Sequence, residues 1–132
     1  VGVIGKSGSG KSTLFNLLSG FLKPNDGSIF LNYNNITHLK PPARNISILF
    51  QDHNNFNHLS IFENIILGID PDMKQTQSNF KIVKDIMKKV SLNIDLQKKV
   101  SDLSGGEQQR VSIARCLLRK KSILLLDEPL IP

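Results

Sequence analysis

The sequence predicts an α/β fold, built as a sandwich around a parallel sheet. Short, almost continuously apolar segments alternate along the chain with stretches whose apolar residues recur at helical spacing. Strands that are apolar throughout are typical of parallel sheets, because helices cover both of their faces. Long helical stretches between such strands are the connections that a parallel sheet needs. The three apolar segments are residues 1–4, 46–50 and 123–127.

The first third of the chain predicts a strand, a helix and two turns. The first apolar segment precedes a glycine-rich loop, and this context favours a buried strand. Leucine and phenylalanine then recur at helical spacing until Gly20, and a glycine just past the last turn commonly ends a helix. Clusters of Asn, Asp and Gly tolerate the positive φ of tight turns. The predicted elements are a strand at 1–4, a helix at 12–19, turns at 24–27 and 32–35, and a strand at 28–31.

The remainder of the chain predicts helices that begin with capping boxes. Ser60 and Glu63 have the spacing at which a hydroxyl and a carboxylate satisfy backbone N–H groups reciprocally. Ser104 and Glu107 repeat that spacing. Between them, apolar residues recur at steps of three and four, which indicates an amphipathic helix. The predicted elements are helices at 61–67, around 80–90 and after 104, and strands at 46–50 and 123–127.

The composition describes one globular unit. The 132 residues are 39% hydrophobic without a run of 18 apolar residues, so we expect no membrane-spanning helix. The net charge of +6 comes from scattered Lys and Arg, without RNA-binding aromatic motifs or zinc-finger spacing, so we expect no nucleic-acid partner. Cys116 is the single cysteine and predicts a small core residue. His38, His53 and His58 lack metal-ligand partners, and we expect them at the surface.

A glycine-rich loop follows the first apolar segment. Residues 5–12 match G-x-x-x-x-G-K-[ST] at every position, a pattern that binds nucleoside triphosphates. Glycines let the backbone wrap around phosphate oxygens, and the next helix adds its positive N-terminal end. Lys11 would reach the β- and γ-phosphates, and the Ser12 hydroxyl would bind Mg²⁺. The alternative, a chance glycine-rich turn, is disfavoured by the strand before and the helix after. The predicted nucleotide-binding residues are Gly5, Ser7, Gly8, Ser9, Gly10, Lys11, Ser12 and Thr13.

Two adjacent carboxylates end the last apolar segment. Asp127, at the carboxyl end of the strand, can support Mg²⁺ directly or through water. Glu128 could polarise an attacking water as a general base. A strand that ends in two solvated acids is a common alternative, but the phosphate loop in the same chain favours the catalytic interpretation.

A second helix start with exposed glycines is expected at residues 103–110, which read LSGGEQQR. Ser104 would cap this helix, and the backbone at Gly105 and Gly106 would make a second anion site. A plain capping box explains Ser104 and Glu107 but leaves the paired glycines, which lower helix stability, unexplained. Because one triphosphate occupies one phosphate loop, two copies arranged head to tail would complete each other's sites.

These motifs resemble the ATP-binding-cassette family, whose signature reads LSGGQ, with Glu107 at the position of the final Gln. The resemblance covers essentially the whole chain. It implies a P-loop NTPase (RecA-like) three-layer sandwich with an inserted helical subdomain, incomplete at both termini. It also implies one partial domain with a phosphate-loop and Q-loop part at 1–53, a helical subdomain at 54–103, and a signature helix with the Walker B strand at 104–132.

The resemblance also implies roles for individual residues. Gln51, directly after strand 46–50, matches the Q-loop glutamine, which contacts Mg²⁺ or the attacking water. On chemistry alone, a glutamine that ends a strand is more often a surface amide. The implied catalytic residues are Glu128, Gln51 and Lys11, the implied Mg²⁺ ligands are Ser12, Gln51 and Asp127, and the signature residues that contact nucleotide are Ser104, Gly105 and Gly106.

The resemblance implies an ATP-hydrolysing subunit of a membrane importer, with ATP and Mg²⁺ as cofactors. Its partners would be a second copy in a head-to-tail homodimer, transmembrane permease subunits and, indirectly, a periplasmic binding protein. It would lie peripherally on the cytoplasmic face of the inner membrane. Residues 41–44, 49–56 and 67–71 look like the thiamine-importer ATPases of bacteria, which implies thiamine as cargo. A soluble cassette ATPase acting on ribosomes or DNA, and an inactive remnant, are the alternatives.

Family members carry parts that these 132 residues lack. They are an upstream aromatic residue that stacks on adenine, the loop that follows Glu128, and the switch histidine. We therefore expect the chain to be a fragment of a longer reading frame or the product of a decaying gene. We also expect the 132 residues by themselves to fold poorly and to bind ATP weakly.

Overall fold

The computed structural model describes residues 1–50 and 54–127 of the 132-residue chain. It divides into two compact units, Val1–Ile46 and Ser47–Pro132. The helices α1 to α4 span Lys11–Ser19, Ile61–Ile66, Gln77–Lys89 and Gly105–Leu118, and the strands β1 to β4 span Phe30–Leu31, Asn34–Asn35, Ile46–Leu49 and Ile123–Leu126.

Helix α1 ends at the glycine that the sequence predicts as its stop. Gly20 adopts a φ of 89°, a left-handed conformation that glycine reaches without steric cost. The N–H groups of Gly20 and Leu22 then both donate to the Asn16 carbonyl, at 3.1 and 3.0 Å. The last turn of the helix is thereby closed on itself, as expected for a glycine C-terminus.

Strands β1 and β2 form a short antiparallel hairpin in which Leu31 pairs with Asn34. The two residues between them, Asn32 and Tyr33, have φ of 49° and 65°, as in the two-residue turns whose twist matches a hairpin. The sequence predicts a strand at 28–31 and a turn at 32–35. The strand is shorter, and the second half of the predicted turn pairs back as β2 through its backbone.

Arg44 is the buried charge of the first unit, with 1% of its surface exposed. Its Nε donates to Leu39 O at 3.0 Å, and its NH1 donates to Leu17 O and Leu18 O, both at 2.7 Å. Its NH2 donates to Thr37 O at 3.2 Å. The guanidinium therefore satisfies carbonyls at the C-terminal end of α1, where a positive charge is favourable, and joins them to the segment before β3.

The second unit is built on α2, α3 and α4. The two predicted capping boxes are present: Glu63 N donates to Ser60 Oγ at 3.1 Å, and Ser60 N donates to Glu63 Oε2 at 2.8 Å. Helix α3 is capped by Thr76, whose hydroxyl accepts from Asn79 N. The three helices share one apolar core, formed by Ile61, Phe62, Ile65, Ile66, Val83, Ile86, Met87, Leu92, Val100, Leu103, Val111 and Ala114.

Strands β3 and β4 pair as a parallel sheet, which confirms the predicted sheet type. Asp127 N donates to Leu49 O at 3.0 Å, so the carboxyl ends of the two strands lie at the same edge. In β3, Ile46 and Leu49 are buried, whereas Leu126 at the end of β4 is 44% exposed.

The prediction of a strand at residues 1–4 is wrong. These residues are irregular, and the side chains of Val1, Val3 and Ile4 are exposed. An apolar run forms a strand only where a neighbour accepts its backbone hydrogen bonds, and within residues 1–50 and 54–127 no strand pairs with this segment.

Cys116 is buried, as predicted, and its Sγ lies 3.7 Å from Ile48 O. Burial raises the pKa of this thiol, so it stays protonated and unreactive at neutral pH. Among the described residues, no helix is both long and apolar enough to cross a bilayer.

Candidate functional site

The glycine-rich loop of the first unit turns through two left-handed glycines. Gly8 and Gly10 have φ of 77° and 93°, which side-chain-bearing residues rarely adopt. Ser9 N donates to Lys6 O at 3.2 Å and closes the turn. A Cβ at Gly5 would lie 2.6 Å from Ser9 Oγ, so the loop also needs a glycine where it begins.

The N-terminus of α1 lacks the side-chain cap that the other described α-helices have. Ser60, Thr76 and Ser104 each accept a backbone N–H at the start of α2, α3 and α4. At Gly10, before α1, no side-chain cap hydrogen bond forms, and no acidic residue lies in the first turn. The amide groups of this turn are therefore available to an acceptor from outside the helix, and the positive end of the helix favours an anion.

Lys11 places its ammonium group over this loop. Its Nζ donates to Gly5 O at 2.7 Å and to Lys6 O at 2.9 Å. Ser12 and Thr13 follow in the first turn of α1, with exposed side chains. An uncapped helix start, left-handed glycines and one lysine above them fit the phosphates of a nucleotide, as the sequence motif predicts. Gly5, Ser7, Gly8, Ser9 and Gly10 are all exposed along the same loop.

Asp127 directly follows β4 at the edge where both strands of the sheet end, and it is half-buried. Gln51 and Glu128, the predicted Q-loop glutamine and general base, lie outside the described residues, as does His53. Within residues 1–50 and 54–127, no group of three His, Cys, Asp or Glu side chains is arranged to hold a metal ion. The predicted Mg²⁺ ligands Ser12, Gln51 and Asp127 would offer hydroxyl, amide and carboxylate oxygens, a donor set that suits this hard cation.

The second predicted helix start is α4, and its capping box is complete. Ser104 N donates to Glu107 Oε2 at 2.8 Å, and Ser104 Oγ donates to the same oxygen at 2.9 Å. Hydrogen bonds from the backbone and then the hydroxyl of Ser104 hold the pKa of the Glu107 carboxyl below its usual range. Glu107 therefore caps the helix as a carboxylate at neutral pH.

Gly105 and Gly106 form the exposed first turn of α4. Beyond the backbone of its own helix, a Cβ built on Gly106 would meet no atom of the described residues within 4 Å, so packing against residues 1–50 and 54–127 does not require a glycine here. A groove of about 410 Å³ opens beside this turn, lined by Ser91, Leu92, Asn93, Ile94, Ser104, Gly106, Glu107 and Arg110. The exposed glycines and the open groove leave the start of α4 accessible to a second molecule.

Comparison with protein families decides the assignment. The family model described as ABC transporter matches residues 1–131. The chain belongs to the ABC transporter family.

Curated members of the family agree with this assignment. The chain is 47% identical over 129 residues to the thiamine import ATP-binding protein ThiQ of Histophilus somni (strain 129Pt), covering 98% of this chain and 60% of that protein. It is 46% identical to ThiQ of Aliivibrio fischeri (strain ATCC 700601 / ES114), covering 98% of this chain and 55% of that protein. The ABC chain described here thus spans somewhat more than half the length of these relatives.

Solved structures agree on the fold. MJ1267, an ATP-binding cassette of an ABC transporter, in its ADP conformation, superposes with a TM-score of 0.78 at 27% identity, covering 96% of this chain and 56% of MJ1267. A nucleotide-free ATP-binding cassette from an ABC transporter superposes with a TM-score of 0.76 at 25% identity, covering 96% and 56% of the two chains. The P-loop NTPase fold predicted from the sequence is confirmed.

The side chains that hold α4 in place were not predicted from the sequence. Asn55, Ser112 and Arg115 form hydrogen bonds between the segment after β3 and this helix. A serine beside Val111 and Ala114, in the apolar stretch of α4, was the available signal, since a buried hydroxyl needs a partner. His38 and His58 are exposed, as predicted.

Proposed function

We propose that the natural protein containing this chain binds and hydrolyses ATP as the ATPase subunit of an ABC importer. The observation that carries the proposal is the uncapped start of α1, with the Lys11 ammonium over a left-handed glycine loop. The match to the ABC transporter family over residues 1–131 supports it.

Each predicted site residue has a role in this proposal. Lys11 and the amides that begin α1 bind and orient the phosphates, so that they oppose the charge of the transferred phosphoryl group. Ser12, Gln51 and Asp127 would hold Mg²⁺, which when bound supplies charge neutralisation at the phosphate oxygens. Glu128 would accept a proton from the attacking water.

The signature helix gives the proposal its second part, a head-to-tail homodimer. Ser104, Gly105 and Gly106 would contact the nucleotide bound by a second copy. The supporting observation is that Gly106 is exposed and that, in the part of the chain that the structure describes, no atom outside its own helix lies within 4 Å of where its Cβ would be. A glycine that costs helix stability without a packing reason among the described residues is explained by a close contact with a second molecule.

Replacing Gly106 by alanine separates folding from function. Alanine is the better helix former, so the free energy of unfolding should stay the same or rise, by up to about 1 kcal/mol. ATP turnover by the natural protein should fall roughly 10-fold or more, because a methyl group displaces the signature turn from the partner's nucleotide. Urea denaturation and steady-state phosphate release on the same samples measure both effects.

Lys84→Ala is the matched control, because it also places alanine on an exposed helical position, in α3. It should leave turnover unchanged. A Gly106→Ala protein with normal turnover would refute the role proposed for the signature turn.

We further propose that the importer carries thiamine. The subunit would lie at the cytoplasmic face of the inner membrane, bound to permease subunits, and a periplasmic binding protein would deliver thiamine to these permease subunits. The relatives that are 46% and 47% identical to this chain are thiamine import ATP-binding proteins, and this supports thiamine as the cargo. The helical subdomain proposed at residues 54–103 would carry the permease contact.

Thiamine uptake tests the cargo. The natural protein, expressed with the permease and binding protein of its own organism, should restore growth on limiting thiamine to a strain that cannot synthesise or import it. The Lys11→Met variant should not restore growth. ATP hydrolysis without thiamine uptake would favour another cargo or a soluble ATPase acting on ribosomes or DNA, and a protein without ATP hydrolysis would favour the inactive remnant.

A further inference from the structure

In the second unit, the Asn55 amide is hydrogen-bonded to two successive turns of α4. Its Nδ2 donates to Gln108 O at 2.7 Å, and its Oδ1 accepts from Ser112 Oγ at 2.8 Å. The donor and the acceptor of one planar group are thus both used on the same helix. A bidentate contact of this kind fixes the position of the helix along its axis as well as its distance.

The Ser112 hydroxyl is buried, with 1% of the residue exposed, between Val111 and Ala114, which are fully buried. A buried hydroxyl is costly unless it is hydrogen-bonded. Its Oγ lies 3.1 Å from Gln108 O, the local acceptor that a helical serine can use, but the contact with Asn55 Oδ1 is shorter. The geometry therefore favours a specific bond between Ser112 and Asn55 over a hydroxyl satisfied within its own helix.

The residues beside Asn55 extend the contact in both directions. Arg115 donates to the Asn54 carbonyl, and its guanidinium lies 5.6 Å from the centre of the Phe56 ring. The Asn54 side chain bonds to both backbone groups of Phe50, with Phe50 N donating to Asn54 Oδ1 at 2.8 Å. The segment at 54–56 is therefore tied both to α4 and to the residue that follows β3.

The end of the sheet extends this series of hydrogen bonds from Phe50 to Asp127. Asp127 N donates to Leu49 O at 3.0 Å, next to Phe50. At the other end, Gln108 N donates to Ser104 O at 2.9 Å, and Gln108 Nε2 donates to Leu103 O at 3.2 Å. Hydrogen bonds through Asn54 and Asn55 thus join the strand end that carries Asp127 to the turn that carries the signature residues.

We propose that Asn55 is a positioning residue, which through Gln108 and Ser112 holds the first turns of α4, and with them the signature residues, at a fixed place relative to the sheet edge that bears Asp127. The proposal rests on the function proposed above. It assigns to Asn55 no contact with nucleotide. Loss of the bond loosens the start of α4 and lowers the fraction of encounters in which the signature turn meets the partner's nucleotide correctly.

The test is a double-mutant cycle in the natural protein with Asn55→Leu, Ser112→Ala and the pair. Each single change should lower kcat for ATP roughly 3- to 10-fold and leave KM within about 2-fold, because the phosphate loop is unchanged. The pair should lose no more than the worse single variant, since both changes remove one shared interaction. Asn57→Leu, an exposed asparagine in the same segment, is the matched control and should retain wild-type kcat.

Amide hydrogen exchange at Glu107 and Gln108, whose N–H groups donate to Ser104 Oγ and Ser104 O, gives a readout that does not depend on turnover. Both single variants should exchange faster there than wild type, while the urea midpoint changes little for Ser112→Ala, which removes one oxygen only. Unchanged exchange, or losses in kcat that multiply in the pair, would overturn the proposal. Faster exchange in a protein whose wild type does not hydrolyse ATP would overturn the proposed function and support the positioning role of Asn55.

Discussion

Replacing Lys11 by methionine should lower kcat/KM for ATP by roughly 100- to 1000-fold in the natural protein. Methionine keeps most of the side-chain length but removes the ammonium group that lies over the loop at Gly5 O and Lys6 O. No other side chain in the first turn of α1 carries a positive charge, since Ser12 and Thr13 follow. Nucleotide affinity should therefore fall together with turnover. Equilibrium binding of a fluorescent ATP analogue measures the affinity, and phosphate release measures the turnover.

Lys23→Met is the control for this change, because Lys23 is an exposed lysine just beyond α1. It should bind and hydrolyse ATP as wild type does. Circular dichroism of both variants tests whether the helix is retained. A Lys11→Met protein with the full helix signal and wild-type nucleotide affinity would contradict the assignment of the loop as a phosphate site.

Replacing Arg44 by methionine should lower the free energy of unfolding by about 3 kcal/mol or more. Arg44 is 1% exposed, and its guanidinium donates to four carbonyls, those of Leu17, Leu18, Thr37 and Leu39. Hydrogen bonds to a charged donor are among the stronger ones, and each carbonyl left without a donor inside the protein adds a desolvation cost. Urea denaturation measures the loss as a lower midpoint at unchanged slope.

Lysine at position 44 should recover only part of this stability, because a point-like ammonium group cannot reproduce the fork of the guanidinium. Arg119→Met, at an exposed position after α4, is the matched control and should shift the midpoint little. Equal midpoints for Arg44→Met and Arg119→Met would show that the buried network adds nothing to stability.

Features encoded within a few residues of one another could be predicted from the sequence. Both capping boxes, the glycine stop at Gly20 and the existence of strands at 46–50 and 123–127 were expected, because each depends on spacing along the chain or on a short apolar run. The phosphate loop was predicted for the same reason, since its chemistry lies within residues 5–12.

Features that depend on distant partners were not predicted. Arg44 bonds to Leu17, 27 residues earlier, and Asn55 bonds to Ser112, 57 residues later. Periodicity reports which face of an element is apolar but does not report which side chain lies opposite. The prediction of a strand at residues 1–4 was wrong for a related reason. An apolar composition permits a strand, but a strand forms only where a neighbouring segment has free backbone groups to pair with it.

Because the start of α1 is uncapped, the stability of its first turn depends on the anions in solution. The other α-helices of the described chain have side-chain caps at their N-termini, so their first turns do not depend on a bound anion. In α1 the missing acceptor must arrive from solution, and whatever anion binds there stabilises the native state in proportion to the logarithm of its concentration. The stability of the first turn of α1 thus depends on the concentration of phosphate-bearing ligands in solution.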